Sequence, residues 1–293
     1  MLVIAGPGSG KTFSLVLRAV NLFLLGRCKP AELVLCTFTE KAAYELRDRI
    51  TATARKVHCR EDLSGLRVGT IHSICNRIIA QHRHRTALGS GYETLDDLGQ
   101  LLFLFDHFDG VCGQDATPPY LGRWQTKWGA IEGLRDYFNK ITEELVDPER
   151  LAADTNPFLQ QLGRAYTNYR DTLFRNNRVD FAHQQSIVHD LLLDAQFLSR
   201  IGSAVRYVLV DEYQDTNYVQ QQLLLKPASA TGNMCVVGDV QRQENGPADG
   251  DFRVYRLHPE TLRRAAADGP AASPWQERQS AGACGRGGCA GDD

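Results

Sequence analysis

Short apolar runs alternate with helix-spaced apolar positions over the first part of the chain. Residues 2–5 form a continuous apolar run, a glycine-rich turn follows, and residues 11–25 carry apolar side chains at helical spacing up to Gly26. Further apolar runs of strand length are 33–38, 68–71, 207–210 and 235–237. Thr39 is expected to cap the helix after the second run, with Glu40 at its positive end. Strands that alternate with helices predict an α/β fold with a parallel sheet covered on both faces.

The middle of the chain lacks this alternation. From about Thr94 to Phe174 no convincing β-run occurs. Three segments there have helical spacing instead: 101–108, 131–141 and 159–173. The pattern predicts an all-helical insertion that interrupts one α/β domain. The predicted organisation is an α/β domain in two parts, a helical insertion and a tail: 1–88 and 178–242, 89–177, and 243–293.

The composition of the tail differs from that of the rest. In residues 246–293, Gly, Ala and Pro supply 21 of 48 positions, and Leu, Ile, Val and Phe supply only four. Such a segment buries too little apolar surface to offset the entropy lost on ordering. We therefore expect a disordered tail, with 255–267 as a candidate amphipathic helix within it.

The overall composition narrows the class of protein. Of the 293 residues, 43% are hydrophobic and 23% charged, which excludes a mainly disordered, collagen-like or coiled-coil chain. No apolar run approaches the roughly 18 residues that span a bilayer. The net charge of −2 excludes a nucleic-acid binder that is basic overall, but not a local basic face. The eight cysteines form no C-x-x-C pair and no signal peptide is present, which predicts reduced thiols in a cytoplasmic protein.

A phosphate-binding loop is predicted between the first strand and its helix. The segment matches the P-loop pattern except at its first position, where Ala5 replaces glycine: Ala5, Gly6, Pro7, Gly8, Ser9, Gly10, Lys11 and Thr12. Glycines let successive backbone N–H groups point at phosphate oxygens, and the helix end adds partial positive charge. Lys11 is placed for the β- and γ-phosphates of ATP, and the Thr12 hydroxyl for Mg²⁺. The alternative is a glycine-rich turn with a chance Lys-Thr pair, which the strand–loop–helix context argues against.

Two carboxylates end the apolar run at 207–210. In P-loop enzymes an aspartate at such a strand end holds Mg²⁺, and this predicts a metal-binding role for Asp211. Glu212 is then the candidate acceptor for the proton of the attacking water. The alternative is a solvated acidic loop, since charged loops are common after strands.

The run Asp-Glu-Tyr-Gln-Asp-Thr at 211–216 carries a family resemblance. With the P-loop, it makes residues 1–242 resemble the UvrD/Rep/PcrA-type superfamily 1 DNA helicases. That resemblance implies a RecA-like ATP-binding domain (1A), with the helical insertion as subdomain 1B. It also implies ATP hydrolysis coupled to 3′–5′ movement on single-stranded DNA. Another P-loop NTPase, such as a nucleotide kinase, is the less favoured class.

Further segments resemble the family's DNA-contacting motifs. Residues 37–43 resemble motif Ia and 69–72 resemble motif Ib, although Glu40 stands where the commonest form has Asn. Segment 39–85 has ten Lys/Arg against five Asp/Glu, an excess that can neutralise phosphates or form a solvated face. The implied DNA contacts are Phe38, Thr39, Thr70, His72 and Tyr213. Either aromatic residue could stack on bases or pack in the core.

The chain departs from the family at several positions. It begins too late to hold the upstream glutamine motif for adenine, and Phe13 replaces the arginine that often stacks on the base. Arg47 matches a motif Ia arginine near the γ-phosphate in relatives. Gln241 is the candidate phosphate-sensing glutamine of motif III, one place early. Motifs IV to VI are not found, so we expect a truncated gene product, with an inactive fragment or a nucleotide- and DNA-binding module as the alternative. A separate chain with the second RecA-like domain is a possible partner.

Overall fold

The computed structural model of the chain describes residues 1–4, 6, 8–113 and 119–238. Several sequence-based predictions lie outside the described residues: Ala5, Pro7, Gln241, the candidate helix 255–267 and the tail 243–293. Within the described part, every helix is too short or too polar to cross a bilayer.

The described residues divide into two compact units. The first comprises 1–96, 139–146 and 173–238. The second comprises 97–113, 119–138 and 147–172.

The first unit is built on a parallel sheet that has five strands among the described residues, in the order β1-β7-β6-β2-β3. In chain order these strands are β1 (Leu2–Ile4), β2 (Leu33–Thr37), β3 (Arg67–Thr70), β6 (Tyr207–Val210) and β7 (Met234–Gly238). A smaller parallel sheet pairs β4 (Glu93–Leu95) with β5 (Arg178–Asp180). The predicted parallel α/β fold is confirmed, and the five predicted strand runs match the larger sheet closely.

The helices are numbered in chain order. They are α1 (Lys11–Leu24), α2 (Glu40–Lys56), α3 (Ile71–His82), α4 (Asp97–Asp106), α5 (Phe108–Cys112), α6 (Lys127–Glu143), α7 (Pro148–Ala152), α8 (Pro157–Arg175), α9 (Phe181–Leu191), α10 (Ala195–Ala204) and α11 (Tyr218–Thr231). The second unit contains α4, α5, α7 and most of α6 and α8.

Alternation along the strands creates a core on each face of the larger sheet. Leu33 and Leu35 of β2 pack with apolar side chains of α1 and α2. Val34 and Cys36 point to the other face, where they pack with side chains of α3, α9, α10 and α11. Successive side chains of a strand point to opposite faces, and apolar side chains on both faces need cover from helices. Both faces of this sheet are covered in that way.

The hydrophobic pattern missed both strands of the smaller sheet, β4 and β5. β4 starts at Glu93 and runs into the segment for which no β-run is predicted. It has only three residues, two of them polar, and its identity depends on pairing with β5 across more than 80 intervening residues. A local hydrophobic pattern contains no such information.

The register of the sheet places three chain segments next to one another at the carboxyl ends of its strands. Val210 of β6 is level with Cys36 of β2, and Ile4 of β1 is level with Gly238 of β7. The backbone N–H of Asp211 extends this ladder by donating to the Cys36 carbonyl at 2.9 Å. The residues after β1, β2 and β6 therefore follow the carboxyl ends of parallel strands, where open α/β sheets bind ligands.

Candidate functional site

The glycine-rich loop connects β1 to the first turn of α1. Gly8 and Gly10 have φ values of 75° and 86°, a left-handed region that costs other residues roughly 1–3 kcal/mol. The Ser9 N–H donates to the Gly6 carbonyl at 3.3 Å, which tightens the loop. The first turn of α1 contains no acidic side chain, so its positive end stays available to an anion. Loop and helix end together fit phosphate oxygens.

Three side chains follow the loop on α1. Lys11 is buried, and its ammonium group lies 4.0 Å from Glu212 Oε2. Thr12 Oγ1 donates to Asp211 Oδ2 at 2.9 Å, although the two residues are 199 positions apart. Phe13 is 54% exposed and therefore available to contact a flat ring. The fold thus joins the two ends of the predicted nucleotide site, the P-loop and the acidic end of β6.

Glu212 adopts an unusual backbone conformation. Its φ and ψ are 52° and 46°, the left-handed region that a residue with a Cβ rarely adopts. Gln214 Nε2 donates to Glu212 Oε2 at 2.7 Å and so fixes the carboxylate. A Cβ on Gly238, at the end of β7, would lie 2.6 Å from Gln214 Oε1, so this glycine leaves room for the glutamine. Strain of this kind tends to persist where the surrounding contacts hold a functional group in place.

Asp211 and Asp215 have raised pKa values. Burial raises the pKa of Asp211, with a further increase from Glu212, while the Thr12 hydrogen bond and the Lys11 charge oppose the shift. Burial, and then the charge of Glu212, also raises the pKa of Asp215. The Thr12 hydroxyl and the carboxylates of Asp211 and its neighbours are oxygen ligands of the type that Mg²⁺ prefers, and a divalent cation would relieve the repulsion between the carboxylates. The residues present therefore fit Mg²⁺ bound together with a nucleotide phosphate.

A cavity of about 430 Å³ lies beside these groups. Its lining comprises Thr12, Thr37, Phe38, Thr39, Ala42, Glu45, Leu46, Arg49, Asp211, Glu212 and Asp215. This volume is within the range of small-molecule sites. Another cavity, of about 470 Å³ along α1 and the β1–β7 edge, is lined mainly by aliphatic side chains. It lacks the convergent polar groups that would make it a nucleotide site.

Arg47 and Arg49 occupy different surroundings. The Arg47 guanidinium donates to the carbonyls of Leu66 and Val68, at 3.1 and 3.4 Å. Arg47 does not line the cavity beside the acidic cluster, whereas Arg49 does, and Arg49 lies 3.7 Å from Glu45. Sequence reasoning missed Arg49. Helical spacing could have identified Arg49. One face of α2 carries residues 42, 45, 46 and 49, whereas residue 47 lies off that face.

The two predicted DNA-stacking aromatics differ in exposure. Phe38, directly after β2, is 61% exposed, so it is not packed in the core. Tyr213, after β6, is partly buried against the core on the α3 and α11 face, and this burial raises its pKa. Tyr44 of α2 is another exposed aromatic side chain, at 68%.

The predicted backbone contacts are occupied by hydrogen bonds within the protein. Thr39 caps α2 as expected, because its hydroxyl accepts from the Ala42 N–H at 3.1 Å. Thr70 is buried and caps α3 by accepting from the Ser73 N–H, while its hydroxyl donates to Glu40 Oε1 at 2.7 Å. Glu40, the departure from the family pattern, therefore links the start of α2 to the end of β3.

His72, in the first turn of α3, is half-buried. Its Nε2 lies 2.7 Å from Gln185 Nε2, and its ring meets the Phe181 ring edge-on at 5.5 Å. Burial lowers the pKa of His72, against the opposing charges of Glu143 and Glu40.

The fold and this site define a P-loop nucleotide-binding protein of the RecA-like α/β type. Residues 1–243 match the family of UvrD/REP helicase N-terminal domains, and the chain belongs to that family. It is 34% identical over 244 residues to DNA helicase II of Haemophilus influenzae and 31% identical over 241 residues to DNA helicase II of Escherichia coli. It is also 27% identical over 248 residues to the ATP-dependent DNA helicase PcrA of Bacillus subtilis.

These alignments cover most of the chain but a minor part of each relative. They span 81%, 82% and 82% of the chain, respectively, and 31%, 31% and 30% of the relatives. The chain therefore corresponds to about a third of the length of the proteins that it matches.

Proposed function

We propose that this chain is the ATP-binding half of a UvrD-like 3′–5′ DNA helicase, which couples ATP hydrolysis to movement on single-stranded DNA and to unwinding. Residues 1–88 and 178–242 are assigned to the ATP-binding domain and 89–177 to its helical insertion. The observation that carries the proposal is the 2.9 Å hydrogen bond between Thr12 and Asp211. It joins a P-loop hydroxyl to a carboxylate at a strand end, as a magnesium–nucleotide site requires.

Each residue of the site receives a role from its position. The loop from residue 5 to Gly10 and the start of α1 bind phosphate oxygens, and Lys11 adds a cation to the same end. Thr12 and Asp211 hold Mg²⁺, which neutralises phosphate charge when bound. Glu212, fixed by Gln214, accepts the proton of the attacking water.

Three further positions are assigned to the nucleotide. Phe13 stacks on the base. Arg47 or Arg49 approaches the γ-phosphate, and the cavity lining favours Arg49. Gln241 remains the candidate phosphate sensor.

We assign DNA binding to the segments that follow β2, β3 and β6, which are neighbouring strands of the sheet. Phe38 is the stacking residue that exposure supports best, with Tyr213 at the adjacent strand end. Thr39 and Thr70 cap α2 and α3, and His72 lies in the first turn of α3, so all three lie at helix N-terminal ends, which attract phosphates. The basic excess in 39–85 would supply the salt-dependent part of the affinity.

A second candidate is a module that grips nucleotide and single-stranded DNA without unwinding. Residues 243–293 contain no recognisable counterpart of helicase motifs IV to VI, so this alternative concerns a polypeptide of residues 1–293 taken alone. A separate chain that carries the second RecA-like domain would then be a partner. The cytoplasmic location stays a prediction.

The proposed site is tested by titrating a fluorescent ATP analogue with and without Mg²⁺. Thr12→Val keeps the shape of the side chain but removes its hydroxyl, whereas Thr12→Ser keeps the hydroxyl as a matched control. We expect Mg²⁺ to strengthen binding to the wild type and the Ser variant, but not to the Val variant. Equal Mg²⁺ dependence in all three proteins would contradict the assignment. A second assay separates a helicase domain from a nucleotide kinase. Single-stranded DNA should stimulate the ATPase activity of a helicase domain, and no phosphate should be transferred to a nucleotide.

A further inference from the structure

The first turns of α9 bury an unusual run of polar side chains. His183, Gln184 and Gln185 are 1%, 2% and 2% exposed, respectively. The His183 ring hydrogen-bonds Asp180 at 2.9 Å, and Gln184 Nε2 donates to Thr94 Oγ1 at 2.8 Å. These two contacts connect α9 to the small sheet. Gln185 instead reaches across to α3, where its Nε2 lies 2.7 Å from His72 Nε2.

The orientation of the Gln185 amide follows from its surroundings. Its Nε2 also lies 3.2 Å from the Phe181 carbonyl, which can only accept a hydrogen bond. Gln185 Oε1 is buried and has no hydrogen-bond partner among the residues that the structure describes. Exchanging oxygen and nitrogen would set two oxygens against each other and would move the two N–H groups to the position without an acceptor. The amide therefore presents N–H to His72.

This orientation fixes the proton of His72. Because an amide N–H can only donate, His72 Nε2 must accept, and the ring proton then lies on Nδ1. His72 Nδ1 has no hydrogen-bond partner within the described part of the chain and is not among its buried unpaired atoms, so this nitrogen is not fully buried. Burial also lowers the pKa of His72, which favours the neutral ring. The edge of Phe181 limits rotation of the ring.

We propose that Gln185 is a positioning residue for DNA binding, because it fixes the His72 tautomer that presents Nδ1–H, rather than a lone pair, to a DNA phosphate. The inference rests on the proposed function, which assigns His72 to the DNA backbone. A neutral imidazole can either donate or accept at a given ring nitrogen, and only the donor attracts a phosphate oxygen. The buried amide of Gln185 selects the His72 tautomer that is protonated on Nδ1, and it does so without adding a charge.

The first experiment examines the wild-type chain alone. Histidine ¹⁵N shifts and couplings are recorded for residues 1–293, with His72→Ala used to assign the signals of residue 72. We expect His72 Nε2 to have the shift of an unprotonated nitrogen and Nδ1 that of a protonated one at pH 7.5. A proton on Nε2 would overturn the proposal, whatever the protein does with DNA.

The second experiment couples the tautomer to DNA binding. Gln185→Met keeps the length of the side chain but removes its donor, and Gln184→Met is the matched control from the same buried run. In the Gln185 variant we expect the Nε2-protonated form to become populated and single-stranded DNA affinity to fall by about threefold to tenfold. The Gln184 variant should keep both the wild-type tautomer and the wild-type affinity.

A double-mutant cycle separates the role of His72 in DNA binding from the positioning role of Gln185. In a His72→Ala background, Gln185→Met should have no further effect on DNA affinity, because its action passes through the ring. If His72→Ala alone leaves DNA affinity unchanged, the proposed role of His72 in DNA binding fails. If His72→Ala weakens binding while Gln185→Met changes neither the tautomer nor the affinity, only the positioning role fails. Loss of affinity equal in both backgrounds would show that Gln185 acts on the fold rather than on His72.

Discussion

The Lys11 ammonium group lies 4.0 Å from Glu212 Oε2, so the P-loop cation and the carboxylate at the end of β6 form a partly buried ion pair. Burial of a lysine is costly unless an anion compensates its charge, and Glu212 contributes that anion here. A nucleotide phosphate would compete with Glu212 for the same cation. The pair therefore links phosphate binding to release of the carboxylate that is assigned to the attacking water.

Lys11→Ala should weaken nucleotide binding by at least about tenfold, because one charge-assisted contact is worth roughly 1.5–3 kcal/mol. The backbone loop remains in this variant, so some affinity should persist. A fluorescent-nucleotide titration measures the effect, with the exposed Lys29→Ala as a control for loss of a positive charge. Equal affinity of the wild type and the Lys11 variant would contradict the P-loop assignment.

Glu212→Gln should act in the opposite direction on binding. The neutral amide no longer competes for Lys11, so we expect ATP affinity to rise by about twofold to fivefold, a change of roughly 0.5–1 kcal/mol. Hydrolysis should nevertheless fall below detection, because an amide cannot accept the proton of water. Titration and single-turnover hydrolysis on the same preparation check both parts. A Glu212 variant that binds more weakly than the wild type would show that the ion pair does not compete with the phosphate.

Asp211→Asn should stabilise the protein in the absence of nucleotide. The pKa of Asp211 is raised in the folded state, mainly by burial, so its contribution favours folding at low pH and is lost as the pH rises through that pKa. Removing the charge should therefore raise Tm by roughly 2 °C at pH 7. The difference should shrink as the pH approaches the ordinary aspartate value of 3.8.

Thermal unfolding at several pH values measures this difference, and Asp190→Asn, at an exposed side chain, serves as the control. Mg²⁺-dependent nucleotide binding should be lost in the Asp211 variant. A lower Tm at pH 7 would mean that the hydrogen bond from Thr12 outweighs the cost of burying the carboxylate.

Arg49→Ala should affect nucleotide affinity, whereas Arg47→Ala should affect thermal stability. Arg49 lines the cavity beside Asp211, so its removal should lower nucleotide affinity by about threefold to tenfold with little change in Tm. Arg47 donates to two backbone carbonyls, so its removal should lower Tm by a few degrees, for a loss of about 1 kcal/mol. If Arg47→Ala is the variant that loses affinity, the assignment from family position is correct and the cavity lining is misleading.

The two arginines show how far the sequence determines the site. The five strands of the larger sheet and their parallel arrangement follow from local hydrophobic patterns, and the prediction of a P-loop follows from glycine spacing. The meeting of Thr12 with Asp211 follows once both are placed at the carboxyl edge of one parallel sheet. Which face of α2 lies towards the carboxyl end of the sheet depends on how the helix is rotated about its axis. A motif match does not show this rotation, whereas the spacing of residues along the helix does.

Other contacts could not be predicted from the sequence. The hydrogen bonds from Thr70 to Glu40 and from Gln185 to His72 join residues 30 and 113 positions apart. They depend on side-chain directions between packed helices rather than on any periodic pattern. β4 likewise needs a distant partner strand to exist.

Single-stranded DNA should bind the isolated chain weakly, and the affinity should fall steeply with salt, because phosphate neutralisation dominates such binding. Phe38→Ala should weaken binding by about 1–3 kcal/mol if a base stacks on the exposed ring. Because stacking adds no charge, this variant should leave the salt slope unchanged. Phe13→Ala is the control, since Phe13 is also exposed but is assigned to the nucleotide. No binding even at low salt would mean that the basic excess in 39–85 is a solvated face.

A polypeptide of residues 1–293 should bind Mg-ATP, hydrolyse it very slowly and unwind no duplex. In the proposed function, the P-loop, Asp211 and Glu212 form one wall of the ATP site. In the intact family the opposite wall brings arginines to the γ-phosphate, and such an arginine is worth about 10³–10⁵ in rate in well-studied NTPases. Unwinding also needs two domains that close and open around ATP. Fusion to, or addition of, a second RecA-like domain should therefore restore DNA-stimulated turnover, and the Lys11→Ala version of the fusion should not. A strand-displacement assay on a 3′-tailed duplex measures the difference, and robust ATP-dependent unwinding by residues 1–293 alone would show that one domain suffices.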